Sequence, residues 1–292
     1  MTSYRDIDWA ACFRDLSRAA DKEEAGSEKS RRAWNEKAPS FARKMKRSGY
    51  IDKLIDLMAL DPRETVLDFG CGSGTLAIPL ARAGHAVLAC DFSPVMLEEL
   101  ERAAGIAGVA VARQATLPAP GAIAICERSW QQSWDDLPRA DAVISSRSLI
   151  TDDLPDAIRK METHATQRVV LTTGVGDLPY RDARILAAMG RNTDDALDPA
   201  QLACIVNYLF SIGRLPRLDY IEVPGPWHRS TREELEQAIR RSHTPQSAEE
   251  ERALAVYLDE HIVFNDAEQR FELDYPRTNR WSHLTWEPPA HV

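Results

Sequence analysis

The stretch Val66-Leu67-Asp68-Phe69-Gly70-Cys71-Gly72-Ser73-Gly74 decides how this chain folds. Its apolar start is typical of a buried strand, and the alternate glycines end that pattern. A helix-like pattern follows in residues 76–81. Glycine lets a backbone turn tightly and approach a ligand, and the first turn of a helix offers unpaired N–H groups. The stretch therefore predicts a strand, a glycine loop and a helix that together hold a cofactor.

The glycine loop alone is compatible with two cofactors. The dinucleotide fingerprint G-x-G-x-x-G/A can be aligned with Gly72, Gly74 and Ala77. Asp68, however, lies directly before the glycines, where a carboxylate repels a pyrophosphate and attracts an ammonium group. Asp91 ends the next apolar run about 20 residues further on, where a ribose-binding carboxylate is expected. The two acids fit a nucleoside joined to an amino acid, as in S-adenosylmethionine.

A second motif follows the second predicted strand and reads Asp91-Phe92-Ser93-Pro94-Val95-Met96-Leu97. Together with the glycine loop, it resembles the first two motifs of the class I S-adenosylmethionine-dependent methyltransferases. The resemblance covers residues 50–175 and implies an enzyme with S-adenosylmethionine as its cofactor. A nicotinamide-dependent oxidoreductase is the competing enzyme class, and the position of Asp68 argues against it.

The resemblance also implies roles for individual residues. The loop glycines let the backbone approach the methionine part of the cofactor, and Asp68 lies close to its amino group. Asp91 accepts both ribose hydroxyls, and Phe92 covers one face of the adenine. The predicted cofactor-binding residues are Asp68, Gly70, Cys71, Gly72, Gly74, Asp91, Phe92, Ser93, Ser129, Trp130 and Ser146.

The sequence departs from the family pattern after the third predicted strand, where an acidic residue is usual. Ser129 and Trp130 take that place. Ser129 is expected to hydrogen-bond the adenine edge. Trp130 either stacks on the adenine ring or packs in the core, because an indole serves both purposes. The adenine contacts therefore stay open, whereas the cofactor class does not.

Strands and helices alternate along the central part of the chain, which predicts an α/β fold with a doubly wound, parallel sheet. The family resemblance implies a Rossmann-like sheet of seven strands, the last of them antiparallel, with an additional helical cap. Residues 105–120 are left without an assigned element. The predicted strands span residues 65–69, 86–91, 122–126, 140–145, 168–173, 218–223 and 280–287. The predicted regions are a helical lid (1–50), the cofactor-binding core (51–175), and a cap with the C-terminal strands (176–292).

The composition of the chain limits the kinds of partner that it is expected to bind. The formal net charge of −9 is a poor match to a phosphate backbone, so no nucleic-acid partner is expected. No apolar run approaches a membrane span and no signal region opens the chain, so we predict a cytoplasmic protein without a membrane partner. A homodimer is left open. No CxxC or zinc-type spacing is present, so no metal is predicted for Cys12, Cys71, Cys90, Cys126 and Cys204.

Three residues are weak candidates for a role in the transfer step. Methyl transfer from a sulfonium needs a general base only if the acceptor is protonated, and Tyr180 and His228 are candidates for that base. Arg147 follows the fourth predicted strand and faces either the transfer site or the cofactor carboxylate, unless it pairs with a neighbouring acid. The Asn/Asp-Pro-Pro-aromatic run typical of amino- and DNA-base methyltransferases is absent from residues 145–149.

The sequence thus predicts an S-adenosylmethionine-dependent methyltransferase that acts on a small molecule by in-line displacement. An RNA or protein methyltransferase that docks its substrate on the basic segment Lys29–Arg47 is the first alternative. A non-catalytic S-adenosylmethionine-binding module is the second. For Asp91→Ala we expect a large loss of cofactor affinity with little loss of fold.

Overall fold

The computed structural model describes residues 6–20, 27–44, 49–175, 182–193, 199–225 and 227–290. The helices are α1 (Trp9–Ala20), α2 (Glu28–Lys44), α3 (Gly49–Met58), α4 (Ala77–Arg82), α5 (Pro94–Ile106), α6 (Leu154–His164), α7 (Ala183–Ala188), α8 (Ala200–Ser211), α9 (Arg232–Ser242) and α10 (Ala248–His261). The strands are β1 (Val66–Phe69), β2 (Val87–Asp91), β3 (Val111–Arg113), β4 (Ile123–Glu127), β5 (Ala140–Ser146), β6 (Ala165–Gly174), β7 (Arg217–Pro224), β8 (His228–Arg229), β9 (Ile262–Asn265), β10 (Arg270–Leu273) and β11 (Thr278–Trp286).

An eight-stranded sheet with the order β3-β4-β2-β1-β5-β6-β11-β7 forms the centre of the fold. Strand β1 pairs in parallel with β2 on one side and with β5 on the other. The strand order therefore reverses at β1, and ligands bind beyond the carboxyl ends of strands at such a switch point. The parallel, doubly wound α/β fold predicted from the sequence is confirmed.

The sheet has one strand more than the seven predicted. The additional strand is β3, which pairs in parallel with β4 and lies in the segment 105–120 that the sequence left unassigned. Only three residues form it, of which the first is partly buried and the other two are exposed. A strand this short and this exposed carries no hydrophobic periodicity, which is why the sequence did not reveal it.

Hydrogen bonds between the last strand and β6 support the predicted antiparallel direction. The Thr173 N–H donates to Ser282 Oγ, and the Val175 N–H donates to Arg280 O. As the residue number rises from Thr173 to Val175, the number of the partner residue on β11 falls from Ser282 to Arg280, which is the pattern of an antiparallel pair.

Burial explains why the central strands form where the sequence placed them. Every residue of β1 and of β2 is buried, as expected for parallel strands covered on both faces. Ser93 caps α5 by accepting the Met96 N–H at 3.1 Å, and Pro94 occupies the first helical turn. The end of β2 thus leads directly into a well-capped helix.

The chain divides into two compact units. The first comprises Met1–Thr173, Gln201–Ile221 and Ser282–Val292, and the second comprises Gly174–Ala200 and Glu222–Trp281. The second unit has an apolar core of its own, which includes Ile185, Trp227, Leu235, Ile239, Leu254 and Leu258.

The second unit contains a small sheet, in the order β8-β10-β9, that the sequence did not predict. Helix α10 ends at His261, and the next residues, Ile262–Asn265, pair antiparallel with β10 in a hairpin. A short apolar run is compatible with a helix or a strand, and pairing with the adjacent strand decided the outcome. Within the described part of the chain, no helix is both long and apolar enough to cross a membrane.

Candidate cofactor and transfer site

The glycine loop turns sharply at the end of β1. Gly70, Gly72 and Gly74 have φ angles of 77°, 53° and 81°. These values lie in the left-handed region, which glycine adopts without steric cost. A Cβ built on Gly70 would lie 2.2 Å from Ser148 Cβ, so the loop contacts the turn after β5 as closely as backbone atoms allow. Glycine is therefore required at position 70 both for conformation and for space.

Asp68 is a buried carboxylate with an unsatisfied oxygen. Its exposed fraction is 1%, and Oδ2 has no hydrogen-bond partner among the described residues. Burial, and secondarily the charge of Asp91, raises the pKa of Asp68 to about 7. A buried carboxylate without a partner costs free energy, and an ammonium group placed against it removes that cost. Asp68 therefore fits the amino group of a cofactor.

Asp91 joins the glycine loop to the second motif. Its Oδ2 accepts the Gly72 N–H at 2.8 Å, and its Oδ1 accepts the Ser93 N–H at 2.9 Å. Burial raises the pKa of Asp91 to about 6, although these backbone hydrogen bonds oppose the shift. Each carboxylate oxygen has a further lone pair. Asp91 can therefore accept two hydroxyls of a ribose while it holds the loop in place.

The turn after β5 forms the wall opposite the loop. Ser148 Oγ donates to Phe69 O at 2.7 Å and lies 2.9 Å from Ser145 Oγ. The Arg147 N–H donates to both the carbonyl oxygen and Oγ1 of Thr172, at 3.1 Å each. These contacts fix the turn against the strand ends β1 and β6.

Tyr50 lies at the same turn and was not identified from the sequence. Its hydroxyl is 2.9 Å from Ser146 Oγ and 2.7 Å from Thr172 Oγ1. The Arg147 guanidinium lies over the Tyr50 ring, 4.1 Å from the centroid. Burial raises the pKa of Tyr50, Arg147 opposes this shift, and Asp68 adds to it. Tyr50 belongs to no recognisable motif, because it lies within a short helix far from β5 in sequence.

The structure favours packing over stacking for Trp130. Its exposed fraction is 5%, and its ring contacts Phe69 and Trp134 at centroid distances of 4.7 Å and 5.1 Å. Its Nε1 donates to Ser148 O at 2.7 Å. The Trp130 ring therefore supports the site from the core side. Ser129 is only partly buried, and its N–H donates to Gln132 Oε1 at 2.8 Å.

Helix α2 contacts the carboxyl ends of two strands. Asn35 Oδ1 accepts the Ser93 hydroxyl at 2.6 Å, next to Asp91. Arg31 Nη1 lies 3.3 Å from Glu127 Oε1 at the end of β4. The N-terminal region therefore reaches the residues predicted to bind the cofactor. Asn35 was not predicted as a site residue, because no motif surrounds it.

The remaining predicted residues lie in different surroundings. Cys71 is buried in the glycine loop, and Phe92 is partly exposed beside Asp91. His228 lies in β8 of the second unit, where burial and then the charge of Arg270 lower its pKa. Tyr180 lies outside the described residues.

The cysteines are all free, and one is distinctive. Cys90 and Cys126 are register partners on β2 and β4, and the Cys126 thiol donates to Glu127 O at 3.8 Å. The Cys90 thiol, and to a lesser extent Arg128, lower the pKa of Cys126 to about 6. Over the described ranges, no group of three His, Cys, Asp or Glu side chains could hold a metal ion.

Comparison with known proteins identifies a methyltransferase domain in this chain. Residues 66–168 match the family model of a methyltransferase domain. An uncharacterized protein of Haemophilus influenzae is 32% identical over 236 residues, which cover 80% of this chain and 82% of that protein. A probable ribosomal RNA small subunit methyltransferase A of Methanosarcina mazei is 36% identical over 53 residues, 18% of this chain and 20% of that protein.

The fold has a counterpart among solved structures. The YcgJ protein of Bacillus subtilis superimposes with a TM-score of 0.50 at 12% sequence identity. The superposition covers 83% of this chain and 99% of that one. At this identity the likeness concerns the fold alone.

Proposed function

Because residues 66–168 match the family model of a methyltransferase domain, we propose that the chain is a class I S-adenosylmethionine-dependent methyltransferase that methylates a small-molecule acceptor. The observation that carries the use of this cofactor is the unpartnered Oδ2 of buried Asp68, beside a loop of glycines with positive φ. A sulfonium cofactor with an ammonium group satisfies that carboxylate, whereas a pyrophosphate would be repelled by it.

The cofactor-binding residues proposed from the sequence fit this geometry. Asp68 faces the amino group, the loop glycines admit the methionine part, and Asp91 accepts the ribose hydroxyls. Ser93 and Asn35 fix the start of α5 behind Asp91. Phe92 and Ser129 are proposed to contact the adenine, and Cys71 and Ser146 complete the lining of the loop and of the turn after β5.

When bound, S-adenosylmethionine supplies an activated methyl group on a good leaving group. The protein therefore contributes mainly proximity, alignment and the exclusion of water. The hydrogen bonds of Tyr50, Ser148 and Asp91 hold the loop and the facing turn in fixed positions. Tyr50 is not proposed as the general base, because its hydroxyl is engaged with Ser146 Oγ and Thr172 Oγ1, and burial raises its pKa.

Charge supports a small acceptor over RNA. The chain has a net charge of −9, and acids neutralise part of the basic face of α2. Arg31 pairs with Glu28 at 2.7 Å and with Glu127 at 3.3 Å. A cation that already pairs with two carboxylates attracts a phosphate backbone weakly. The basic helix is therefore proposed as part of the site wall instead of a docking surface for nucleic acid.

The test is methyl transfer from labelled S-adenosylmethionine to cell extract separated into small-molecule, RNA and protein fractions. Label in the small-molecule fraction supports the proposal, and label in the RNA or protein fraction identifies a macromolecular acceptor instead. Cofactor binding without transfer to any fraction indicates a non-catalytic module. A protein that binds neither S-adenosylmethionine nor S-adenosylhomocysteine by calorimetry contradicts the proposed function altogether.

A further inference from the structure

Arg147 lies in the turn that forms one wall of the site. The hydroxyl of its neighbour Ser148 donates to the Phe69 carbonyl, directly before the glycine loop. The Ser148 side chain also occupies the space that a Cβ on Gly70 would need. The other neighbour, Ser146, bonds the Tyr50 hydroxyl. The residue between them is therefore held next to the cofactor loop by contacts on both sides.

The backbone at Arg147 does not account for the presence of an arginine. Its φ is 57°, a conformation that glycine, asparagine and aspartate adopt more readily than a long side chain does. The Thr172 contacts hold this conformation in place. Glycine would suit the backbone better, so the reason for arginine has to be sought in its side chain.

Tyr50 provides a rigid platform for that side chain. The phenol ring is 1% exposed and is fixed by its bonds to Ser146 and Thr172. The Arg147 guanidinium lies over the ring face, 4.1 Å from the centroid. This cation–π contact fixes the position of the guanidinium, a planar group whose N–H donors match the paired oxygens of a carboxylate or phosphate.

The charges of Arg147 and Asp68 act on the same Tyr50 hydroxyl, since Arg147 lowers its pKa and Asp68 raises it. S-adenosylmethionine carries a positive sulfonium, and a nearby guanidinium repels it. An acceptor with a negative group would be attracted by both cations and would offset this repulsion.

We propose that Arg147, held by Tyr50, determines acceptor specificity by binding an anionic oxygen group, a carboxylate or a phosphate, of the methyl acceptor. The inference rests on the proposed function and extends it by naming the chemical class of the substrate. It assigns Arg147 to the acceptor and not to the carboxylate of the cofactor.

The first experiment separates the acceptor from the cofactor. Arg147→Gly removes the guanidinium and suits the backbone, so the variant is expected to fold. Calorimetry then measures the affinities of this variant and of the wild type for S-adenosylhomocysteine and for methylthioadenosine, which lacks the amino-acid part. We expect both affinities to stay within about twofold of wild type, because neither ligand contacts Arg147. S-adenosylmethionine should gain affinity relative to S-adenosylhomocysteine, since the repulsion of the sulfonium is removed.

The second experiment concerns the acceptor. The small-molecule fraction of cell extract is passed over an anion exchanger, and the acceptor is expected among the retained anions. Arg147→Gly should raise the apparent KM for this fraction by about tenfold or more, with a smaller change in kcat. Arg147→Lys should lower the apparent KM part of the way back to the wild-type value. Phosphatase treatment of the fraction distinguishes the two groups, because it removes a phosphate acceptor and leaves a carboxylate.

A third readout does not depend on turnover. With S-adenosylhomocysteine bound, millimolar benzoate should raise the melting temperature of the wild type more than that of Arg147→Gly at equal ionic strength. The control is Arg159→Gln, an exposed arginine on α6 that pairs with Asp156 and should behave as wild type in all three measurements.

Four results would overturn the inference. They are a neutral acceptor, wild-type KM in Arg147→Gly, equal stabilisation of both proteins by benzoate, and a loss of S-adenosylhomocysteine affinity with methylthioadenosine unaffected. The last result would assign Arg147 to the cofactor carboxylate. Failure of the wild type to bind any of these nucleosides would instead contradict the proposed function, and this inference would fall with it.

Discussion

Gly70 and Ser148 are in contact so close that a methyl group on Gly70 would lie 2.2 Å from Ser148 Cβ. This contact joins the glycine loop after β1 to the turn after β5, which come from neighbouring strands. The glycine loop and the turn after β5 therefore pack as one unit, and substitutions on either side should affect both.

Gly70→Ala should destabilise the protein more than the same change at a glycine in open space. Alanine at a φ of 77° costs about 1–3 kcal/mol, and the overlap with Ser148 adds about 1–3 kcal/mol. The control is Gly108→Ala, where φ is 70° and no atom lies within 4 Å, so only the conformational cost applies. Denaturant unfolding measures both. Equal destabilisation would show that the loop moves away from Ser148 without cost.

Asp91→Ala should reduce cofactor affinity strongly, as the sequence predicted. The structure adds a cost in stability, because Asp91 accepts the N–H groups of Gly72 and Ser93. Leaving these groups without an acceptor costs about 1–3 kcal/mol. Calorimetry and denaturant unfolding measure the two effects, with Asp259→Ala as an exposed control. Wild-type affinity in Asp91→Ala would place the ribose elsewhere.

Cofactor binding should release protons near neutral pH. The pKa of Asp68 is about 7 without the cofactor, and an ammonium group beside it lowers this value. Affinity should therefore rise with pH up to about 7. At pH 6.5 the calorimetric binding enthalpy should change with the ionisation enthalpy of the buffer. Asp68→Asn is expected to remove most of this buffer dependence, and an unchanged dependence in the variant would assign the proton to another group.

Stability without the cofactor should fall as the pH rises. The folded-state pKa values of Asp68 and Asp91, about 7 and about 6, lie above the unfolded value of 3.8. The folded state therefore binds protons at these two carboxyl groups more tightly than the unfolded state does. The stability that the two groups contribute is fully present below pH 3.8 and is lost as the pH rises to about 7. Asp68→Asn should be more stable than wild type at pH 8, with the difference disappearing towards pH 4. A stability difference between Asp68→Asn and wild type that does not change with pH would contradict the raised pKa of Asp68.

Cys126 should react before the other cysteines with iodoacetamide at pH 7. Its pKa is lowered to about 6, chiefly by the Cys90 thiol, so a large share of it is thiolate. Cys90 and Cys71 are fully buried, and burial contributes to pKa values well above the ordinary one in both. Mass spectrometry of the alkylated peptides identifies the site, and Cys126→Ser should abolish the fast phase. A fast phase that persists in this variant would exclude Cys126 as its source.

Local patterns accounted for the cofactor core. The apolar runs and the glycines predicted β1 and β2 to within one residue at each end. The loop and both acids follow from residues adjacent in sequence, which is why they could be identified there. The short strand β3 and the sheet of the second unit were missed, because their strands are short and mostly exposed or only partly buried, and such segments carry no hydrophobic periodicity.

The sequence by itself determined the α/β class, the cofactor and the acids that we propose to face it, since each depends on residues close together along the chain. Only the tertiary structure decided what surrounds them. Folding brings Tyr50, Arg147 and Thr172 together, places Asn35 against Ser93, and buries Trp130 in an aromatic cluster. These contacts join segments separated by tens of residues, and no local periodicity encodes them. The features that we propose to select the acceptor therefore depend on how distant segments pack against each other.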